Sequence, residues 1–273
     1  MKEILFHLAI TFSSLNAIHS AFPQDHGHFY VGAMGTNQND QLVITNAADF
    51  ATNSGYVKTL TYTNGRRYAG YYQGNITFEA LPAKNALGDP VSGSAALGSW
   101  LHAQITSVEG PAGGAFGFWE AGATEPTIHI PCGSTSTNVW VISNNNGAPE
   151  TDPFGHIHGR RFTATKPGIY VVALKSSDRS ANGMGGGPIH SDSEILNVYF
   201  QADFNIASVT RTGEVNTVTF GGMAGRNFHL KANSNLSTTN WTSVGSVPGS
   251  DYFLLLNETN ASGQRFYRIK VEP

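Results

Sequence analysis

The sequence predicts an all-β protein, an antiparallel β-sandwich followed by a second, smaller C-terminal β-sandwich. The first observation is composition: only 13% of the 273 residues are charged, whereas 31 are glycine. Such a composition is typical of short strands joined by many turns. The second is that sustained helical periodicity is missing after residue 22, apart from a weak candidate at residues 46–52. The third is a series of short, closely spaced segments with the character of strands.

Seven segments in the first three quarters of the chain mix β-branched or aromatic residues with alternating polar ones, which is the pattern of half-buried strands. They lie at residues 41–45, 75–80, 101–108, 115–120, 138–143, 168–177 and 195–203. Clusters of Gly, Pro and Asn separate them and predict turns. Residues 176–194, SSDRSANGMGGGPIHSDSE, predict a long glycine-rich loop, and a loop of this length is usually functional or mobile.

The character of the sequence changes after Asp203. The remaining 70 residues carry about six more short strand-like segments, which is enough for a small second sandwich. We therefore predict a β-sandwich domain over residues 22–203 and a small C-terminal β-sandwich module over residues 204–273.

The first 21 residues resemble a secretory signal peptide. Lys2 precedes an apolar stretch from Ile4 to Ile18, and the small residues Ser20 and Ala21 follow it. We therefore predict export, to the cell surface or the medium, and the alternative is a buried N-terminal helix. No other stretch reaches the ~18 apolar residues of a membrane span, so no transmembrane segment is expected in the mature chain.

Charge, cysteine content and motifs exclude several classes of function. The formal net charge is −3, and no run of Lys and Arg is longer than two residues, so nucleic acid is not an expected partner. Cys132 is the single cysteine, which rules out an intrachain disulfide. Neither a G-x-S-x-G elbow nor an H-E-x-x-H helix, a P-loop or a dinucleotide fingerprint is present. The sequence therefore favours a non-catalytic protein.

The histidines are the residues in which we expect chemistry. His156 and His158 are separated by one residue, and in an extended strand they share one face with their Cα atoms roughly 6.6 Å apart. A second pair, His26 and His28, precedes them, and His190 lies in the glycine-rich loop. Imidazole is the commonest metal ligand, so these five histidines predict a site for zinc or copper if the fold brings them together.

Such a site would need a close arrangement and supporting groups. Bonds of about 2.0–2.1 Å around a tetrahedral ion require His26 to lie within about 5 Å of the H-x-H pair. Asp25, Asp152 and Glu194 are the candidates to accept the second ring N–H of each ligand. Arg160 argues against a metal, because in a regular strand its cation shares the face of the two histidines.

Two other functions stay open from the residues alone. An adhesion or carbohydrate-binding protein would use aromatic side chains such as Tyr71, Tyr72 and Trp119, and its histidines would be incidental. A metalloenzyme would keep an open coordination position and use Glu150 or Glu194 as its base. Cell-surface or extracellular components are the expected partners besides a metal ion.

Three segments, DHGHFYVGA, VEGPAGGAFGFWEAG and GHIHGRRFTATKPGIYVVALKSS, together resemble the choice-of-anchor M domain, a family of bacterial surface-anchored proteins. The resemblance covers about residues 25 to 203 and implies metal binding at the cell surface, with no assigned reaction. The tail resembles a small β-sandwich module at the C-termini of many exported bacterial proteins. The residues that match the family pattern are His26, Gly110, Pro111, Phe116, Trp119, His156, His158, Pro167, Gly168 and Tyr170.

Overall fold

The computed structural model describes residues 27–259 and 263–272, and within them the protein is all-β, as predicted. The predicted signal peptide, Asp25 and His26 lie outside the described residues. The strands are β1 Gly27–Ala33, β2 Leu42–Ile44, β3 Val57–Tyr62, β4 Tyr72–Gly74, β5 Ile76–Ala80, β6 Leu101–Glu109, β7 Ala115–Trp119, β8 Ile128–Pro131, β9 Ser134–Thr135, β10 Val139–Val141, β11 Gly155–His156, β12 Arg161–Ala164, β13 Gly168–Asp178, β14 Leu196–Ala202, β15 Ile206–Thr212, β16 Val215–Gly221, β17 Asn227–Asn233, β18 Thr242–Pro248, β19 Phe253–Thr259 and β20 Phe266–Glu272.

Helical structure is confined to short pieces in the described part of the chain. The α-helix α1, Ala47–Phe50, and the 3₁₀ turn Thr52–Ser54 cover the weak helical candidate of the sequence. Two further 3₁₀ turns lie at Arg66–Tyr68 and Met184–Gly186. Among the residues that the structure describes, no helix has the length and apolar character that a membrane span requires.

The strands form four sheets. A four-stranded sheet has the order β11-β5-β1-β2, and a ten-stranded sheet has the order β10-β6-β13-β14-β3-β4-β12-β7-β8, with β9 paired to β6. Most neighbours are antiparallel, as predicted, but β1 pairs with β5 and β14 with β3 in parallel. Parallel neighbours need a long crossover, and residues 34–75 provide one between β1 and β5.

The first core lies where the long sheet folds back towards itself. Phe118 of β7 stacks on Trp140 of β10 with ring centroids 4.2 Å apart, although these strands lie near opposite ends of the ten-stranded sheet. Phe116 packs against Phe200 of β14 in the same cluster. The inner face of the four-stranded sheet contributes Phe29 to this core. The buried residues of this core lie between residues 29 and 202.

Gly110, Gly168 and Tyr170 are packing residues. The Tyr170 hydroxyl donates to the carbonyl of Lys166 at 2.8 Å, which ties the chain across the start of β13 as a tyrosine corner does. Gly168 has φ 137°, and a Cβ there would lie 2.5 Å from Pro111 Cγ. A Cβ on Gly110 would lie 2.6 Å from the Tyr170 ring. Gly110, Gly168 and Tyr170 therefore shape one corner of the sandwich.

The glycine-rich loop is tied to the core by one buried carboxylate. Asp178 accepts hydrogen bonds from the backbone N–H groups of Trp100, Ser180, Ile189 and His190, at 2.9–3.2 Å. Asp178 is 5% exposed, and these bonds compensate for its burial. Both ends of the loop therefore converge on the end of β13.

The C-terminal residues form two three-stranded sheets, β15-β16-β19 and β18-β17-β20, so the six predicted strands are present. They enclose a separate small core of Val218, Phe220, Phe228 and Leu230. Polar contacts join this module to the first domain: Thr59 Oγ1 and Gln201 Nε2 both donate to the carbonyl of Gly222, at 2.6 and 3.3 Å. The boundary near residue 204 stays a prediction, which limited proteolysis between residues 203 and 206 tests.

Candidate metal centre

Strand β5 lies between β11 and β1 and brings three distant segments together. In the register of these strands, His156 is opposite Glu79, Tyr30 is also opposite Glu79, and His28 is opposite Thr77. Side chains at paired positions project from the same face of a sheet, and positions two apart along a strand share that face. The two histidines and the carboxylate therefore lie on one face.

The opposite face of the same strands explains why this arrangement forms. Alternate residues of β1 and β5 are apolar and buried in the core, so the polar residues between them project from the opposite face of the sheet. The buried residues are Phe29, Val31, Phe78 and Ala80. Burial of this apolar face fixes the register, because a shift of one residue would turn every side chain to the other face.

The carboxylate of Glu79 contacts both imidazoles through one oxygen. Its Oε2 lies 3.0 Å from His28 Nδ1 and 3.3 Å from His156 Nδ1. The two imidazole rings are 4.8 Å apart between centroids and nearly perpendicular, at 89°. One potential ligand atom from each of the three residues lies within 4.8 Å of the others, so the group is compact enough to hold a metal ion.

The site is only partly accessible to solvent, which affects its charge. His28 is buried, and the side chains of His156 and Glu79 are 21% and 20% exposed. Burial lowers the pKa of the His156 imidazole below its ordinary value of 6.5, Glu79 opposes this effect, and the neighbouring His158 and His28 add to it. His156 is therefore neutral at pH 7, the form that a metal ligand requires.

Two local features hold the histidines in position. The side chain of Asn46 accepts from the N–H of Tyr30 at 3.0 Å and donates to the carbonyl of His28 at 2.8 Å, so it satisfies the backbone of β1 beside the end of β2. A Cβ on Gly155 would lie 1.9 Å from the carbonyl oxygen of Ile142. Glycine is therefore needed for β11 to pass so close to the chain that follows β10.

His158 takes a different place from the one expected of a regular H-x-H strand. Strand β11 ends at His156, and Gly159, with φ 85°, turns the chain. The His158 ring stacks on that of His156, with centroids 4.4 Å apart and an interplanar angle of 29°. His158 is not part of the compact group of potential ligands.

The prediction that the charge of Arg160 opposes a metal at the histidines is wrong. Its guanidinium donates two hydrogen bonds to the Glu120 carboxylate, at 2.8 and 3.0 Å, and one to the carbonyl of Val141 at 2.7 Å. The turn at Gly159 interrupts the strand alternation on which the objection depended. The charge of Arg160 is thus compensated by Glu120 and does not oppose a cation at the histidines.

His190 is engaged in the fold and not brought to the histidine cluster. Its Nε2 accepts from the backbone N–H of Ala96 at 2.9 Å, and its Nδ1 lies 3.0 Å from the carbonyl oxygen of Asp40, to which it donates. A neutral imidazole has one donor and one acceptor nitrogen, so both are used. The expectation that His190 is a metal ligand is therefore corrected.

The predicted supporting carboxylates have other contacts. Asp152 accepts from the backbone N–H groups of Ala83 and Phe154, which holds a turn ahead of β11. Glu194 accepts from the side chain of Gln41 at 3.1 Å. Neither bond orients an imidazole, so the expected role of Asp152 and Glu194 beside the ligands is corrected.

The aromatic residues proposed for carbohydrate binding are mostly packed against one another. Trp119 is 1% exposed, and its Nε1 donates to Thr163 Oγ1 at 2.9 Å. Tyr71 lies edge-on to the Trp119 ring at 5.5 Å, and Tyr72 packs beside Tyr62 at 5.1 Å. Because the Trp119 ring is buried, it offers no face to a sugar, and this part of the alternative is wrong.

Glu79 is the residue that sequence reasoning missed. Its segment, NITFEA, was predicted as a strand, and the alternation Ile76, Phe78, Ala80 already places Glu79 on the polar face. The pairing of β5 between β1 and β11 joins residues far apart in sequence, and no local pattern encodes it. The signal in the sequence that could have identified Glu79 is a carboxylate on the polar face of a predicted strand.

Comparison with known proteins adds no homologue to these observations. No family model matches the chain, and no curated protein is significantly similar to it.

Proposed function

We propose that this is an exported, non-catalytic protein that binds a divalent transition metal, zinc or copper, at His28 and His156 beside Glu79. The observation that carries the proposal is the convergence of two imidazoles on one carboxylate oxygen, at 3.0 and 3.3 Å. The three residues come from distant parts of the sequence. A chance cluster of neighbouring surface residues is therefore a weaker explanation of this group.

The chemistry of the donors supports zinc(II) or copper(II). Imidazole suits both ions, and the group contains no thiolate or thioether that would favour copper(I). An oxygen-only site would favour magnesium or calcium, whereas this group has two nitrogen donors. The low pKa of His156 keeps its imidazole neutral at physiological pH, so the metal displaces no proton from it.

A complete coordination shell needs further ligands. Structural zinc sites have four ligands, and sites with fewer protein ligands complete the shell with water. His26 is the predicted additional ligand, because it is two residues before His28 in the sequence. Water would occupy the coordination positions that His26 does not fill.

The signal-peptide pattern at the N-terminus and the resemblance to surface-anchored proteins support an extracellular role. In that setting the protein would capture or display metal.

Metal content and titration test this proposal. The protein is purified without an affinity tag, analysed for metal content, stripped with a chelator, and titrated with zinc(II) and copper(II) by calorimetry. We expect about one ion per chain, and at a free metal concentration of 100 times Kd we expect about 2.7 kcal/mol of stabilisation against unfolding.

The matched control is a histidine–carboxylate pair in the C-terminal module, His229 and Glu272, whose atoms lie 3.2 Å apart. His156→Ala should abolish the heat of binding, and His229→Ala should leave it unchanged. A wild-type protein that binds neither ion at micromolar concentration, or a His156→Ala variant that binds as tightly as the wild type, contradicts the proposal.

A further inference from the structure

The contacts of Glu79 define the protonation pattern of both imidazoles. An ionised carboxylate only accepts hydrogen bonds, so the ring nitrogen that faces it must carry the proton. In His28 that nitrogen is Nδ1, which forms a hydrogen bond with Glu79 Oε2 at 3.0 Å, and in His156 it is also Nδ1, which lies 3.3 Å from the same oxygen. A neutral imidazole has a single N–H, so Nε2 of each ring carries the lone pair.

The environment of the second nitrogen points to a ligand. His156 Nε2 is buried and has no hydrogen-bond partner among the described residues. A buried polar atom without a partner destabilises the fold, and such atoms are often explained by a bound ion or water. A lone pair accepts a donor or a cation, so a divalent metal would satisfy this atom.

We propose that Glu79 is a positioning residue and not a metal ligand: it holds both imidazoles as Nδ1–H tautomers, so that the metal binds through Nε2 of His28 and His156. The assignment of the metal-binding atoms rests on the proposed function, whereas the tautomers are a property of the metal-free protein. A carboxylate that accepts the second N–H of a ligating histidine fixes its orientation and raises its basicity.

The sheet explains how one carboxylate serves two ligands. Glu79 is directly opposite His156 across the β5–β11 pair and projects from the same face as His28 on β1. Both contacts involve the same oxygen, Oε2, so a movement of this carboxylate changes the orientation of both rings. The two imidazoles are therefore coupled through Glu79.

Nitrogen-15 NMR of the metal-free protein tests the tautomers. Long-range proton–nitrogen spectra at pH 8 distinguish the two neutral forms of each imidazole, and the variants His28→Gln and His156→Gln assign the signals. We expect the Nδ1–H form for both rings in the wild type. In Glu79→Ala both rings should change to the Nε2–H form, whereas in the control Glu194→Ala they should not.

Glu79→Gln gives a milder second variant, because its amide oxygen still accepts an N–H while the negative charge is lost. If His28 and His156 in the wild type are Nε2–H tautomers, or if the tautomers are the same in Glu79→Ala as in the wild type, the role of Glu79 is wrong. Circular dichroism confirms that each variant is folded.

Cadmium-113, which replaces zinc as a probe, identifies the ligand atoms. We expect scalar coupling between cadmium and Nε2 of both rings, and a loss of affinity of about 10–100-fold in Glu79→Gln with both couplings retained. Coupling to Nδ1 overturns the inference, because Glu79 would then be displaced or would itself bind the ion. If the wild type binds neither zinc(II) nor copper(II), the proposed function fails and the assignment of the ligand atoms fails with it, whereas the tautomers of the metal-free protein test the role of Glu79 separately.

Discussion

His190 is buried and His156 is half-buried, and the contacts of their ring nitrogens differ. His190 is 2% exposed and uses both ring nitrogens on the backbone, with the N–H of Ala96 and the carbonyl of Asp40. His156 uses Nδ1 on the Glu79 carboxylate, and its Nε2 has no hydrogen-bond partner within the described part of the chain.

The contacts of the second ring nitrogen distinguish a structural histidine from a candidate ligand. Burial alone does not decide it, because His190 is the more buried of the two. The decisive feature is whether the second nitrogen is already satisfied by the fold. A histidine with both nitrogens satisfied contributes to stability, whereas one with a buried lone pair is suited to bind an ion.

Removal of the two candidate ligands should have the largest effect. We expect the double variant His28→Ala and His156→Ala to lose more than about 100-fold in affinity for zinc(II), since loss of a supporting group alone costs 10–100-fold. Calorimetric titration measures it. A folded His190→Leu variant whose zinc affinity falls by a similar factor would contradict the assignment of His28 and His156 as the ligands.

Gly155→Ala should disturb the position of His156 through the backbone. The new Cβ would lie 1.9 Å from the carbonyl oxygen of Ile142, so β11 must move away from the chain that follows β10. We expect a loss of about 3 kcal/mol in the free energy of unfolding, at the upper end for overpacking, and weaker metal binding. Urea unfolding measures the first effect.

The control for this variant is Gly65→Ala, because a Cβ at Gly65 has no heavy atom within 4 Å in the described structure. It should unfold at the same urea concentration as the wild type, within error. Equal stability of Gly155→Ala and Gly65→Ala would show that β11 is not held as described.

His190→Leu should destabilise the fold and leave metal binding intact. Leucine fills the site but leaves the N–H of Ala96 and the carbonyl of Asp40 without their side-chain partner, at a cost of about 2 kcal/mol. Urea unfolding and zinc titration of the same sample separate the two properties. A variant as stable as the wild type would mean that His190 is not a structural residue.

The pH dependence of stability should distinguish His156 from an exposed histidine. Burial is the main reason that its pKa in the folded protein lies below 6.5, so the unfolded chain binds the proton more readily. The contribution of His156 to stability is therefore complete above pH 6.5 and decreases as the pH falls below that value. Urea unfolding of the metal-free protein at pH 7.5 and 5.5 should show a smaller loss in His156→Leu than in the wild type.

The smallest effect is expected from His158. Its ring stacks on His156 at 4.4 Å and is outside the compact donor group, so His158→Phe should preserve the stacking. We expect the zinc affinity to stay within about three-fold, since no donor of the compact group is lost. A loss as large as that of His156→Ala would identify His158 as a ligand.

Local pattern predicts seven of the fourteen strands described in the first domain. Each of the seven segments predicted in the first domain contains a strand, because alternation of apolar and polar residues encodes which face is buried. The strands outside these segments are mostly short or have little alternation, and they are β1, β3, β4, β8, β9, β11 and β12. The parallel pairing of β1 with β5 depends on the tertiary fold and not on either segment.

The candidate site was predictable only in part, for the same reason. His28 and His156 were selected from residue type and spacing, and the structure brings them together. Glu79 was missed because its contacts depend on the strand order β11-β5-β1. His190 was selected for its position in a glycine-rich loop, but the backbone groups that bind it cannot be identified from the sequence.

The separation of the donors along the chain has a consequence for the order of folding. His28 and Glu79 are 51 residues apart, and His156 comes from a third, later segment of the chain. Contacts between such distant residues require the closure of long loops, which is slow and follows the formation of local hairpins. A metal at this site would therefore bind late, slowing the unfolding of the finished domain without accelerating its folding.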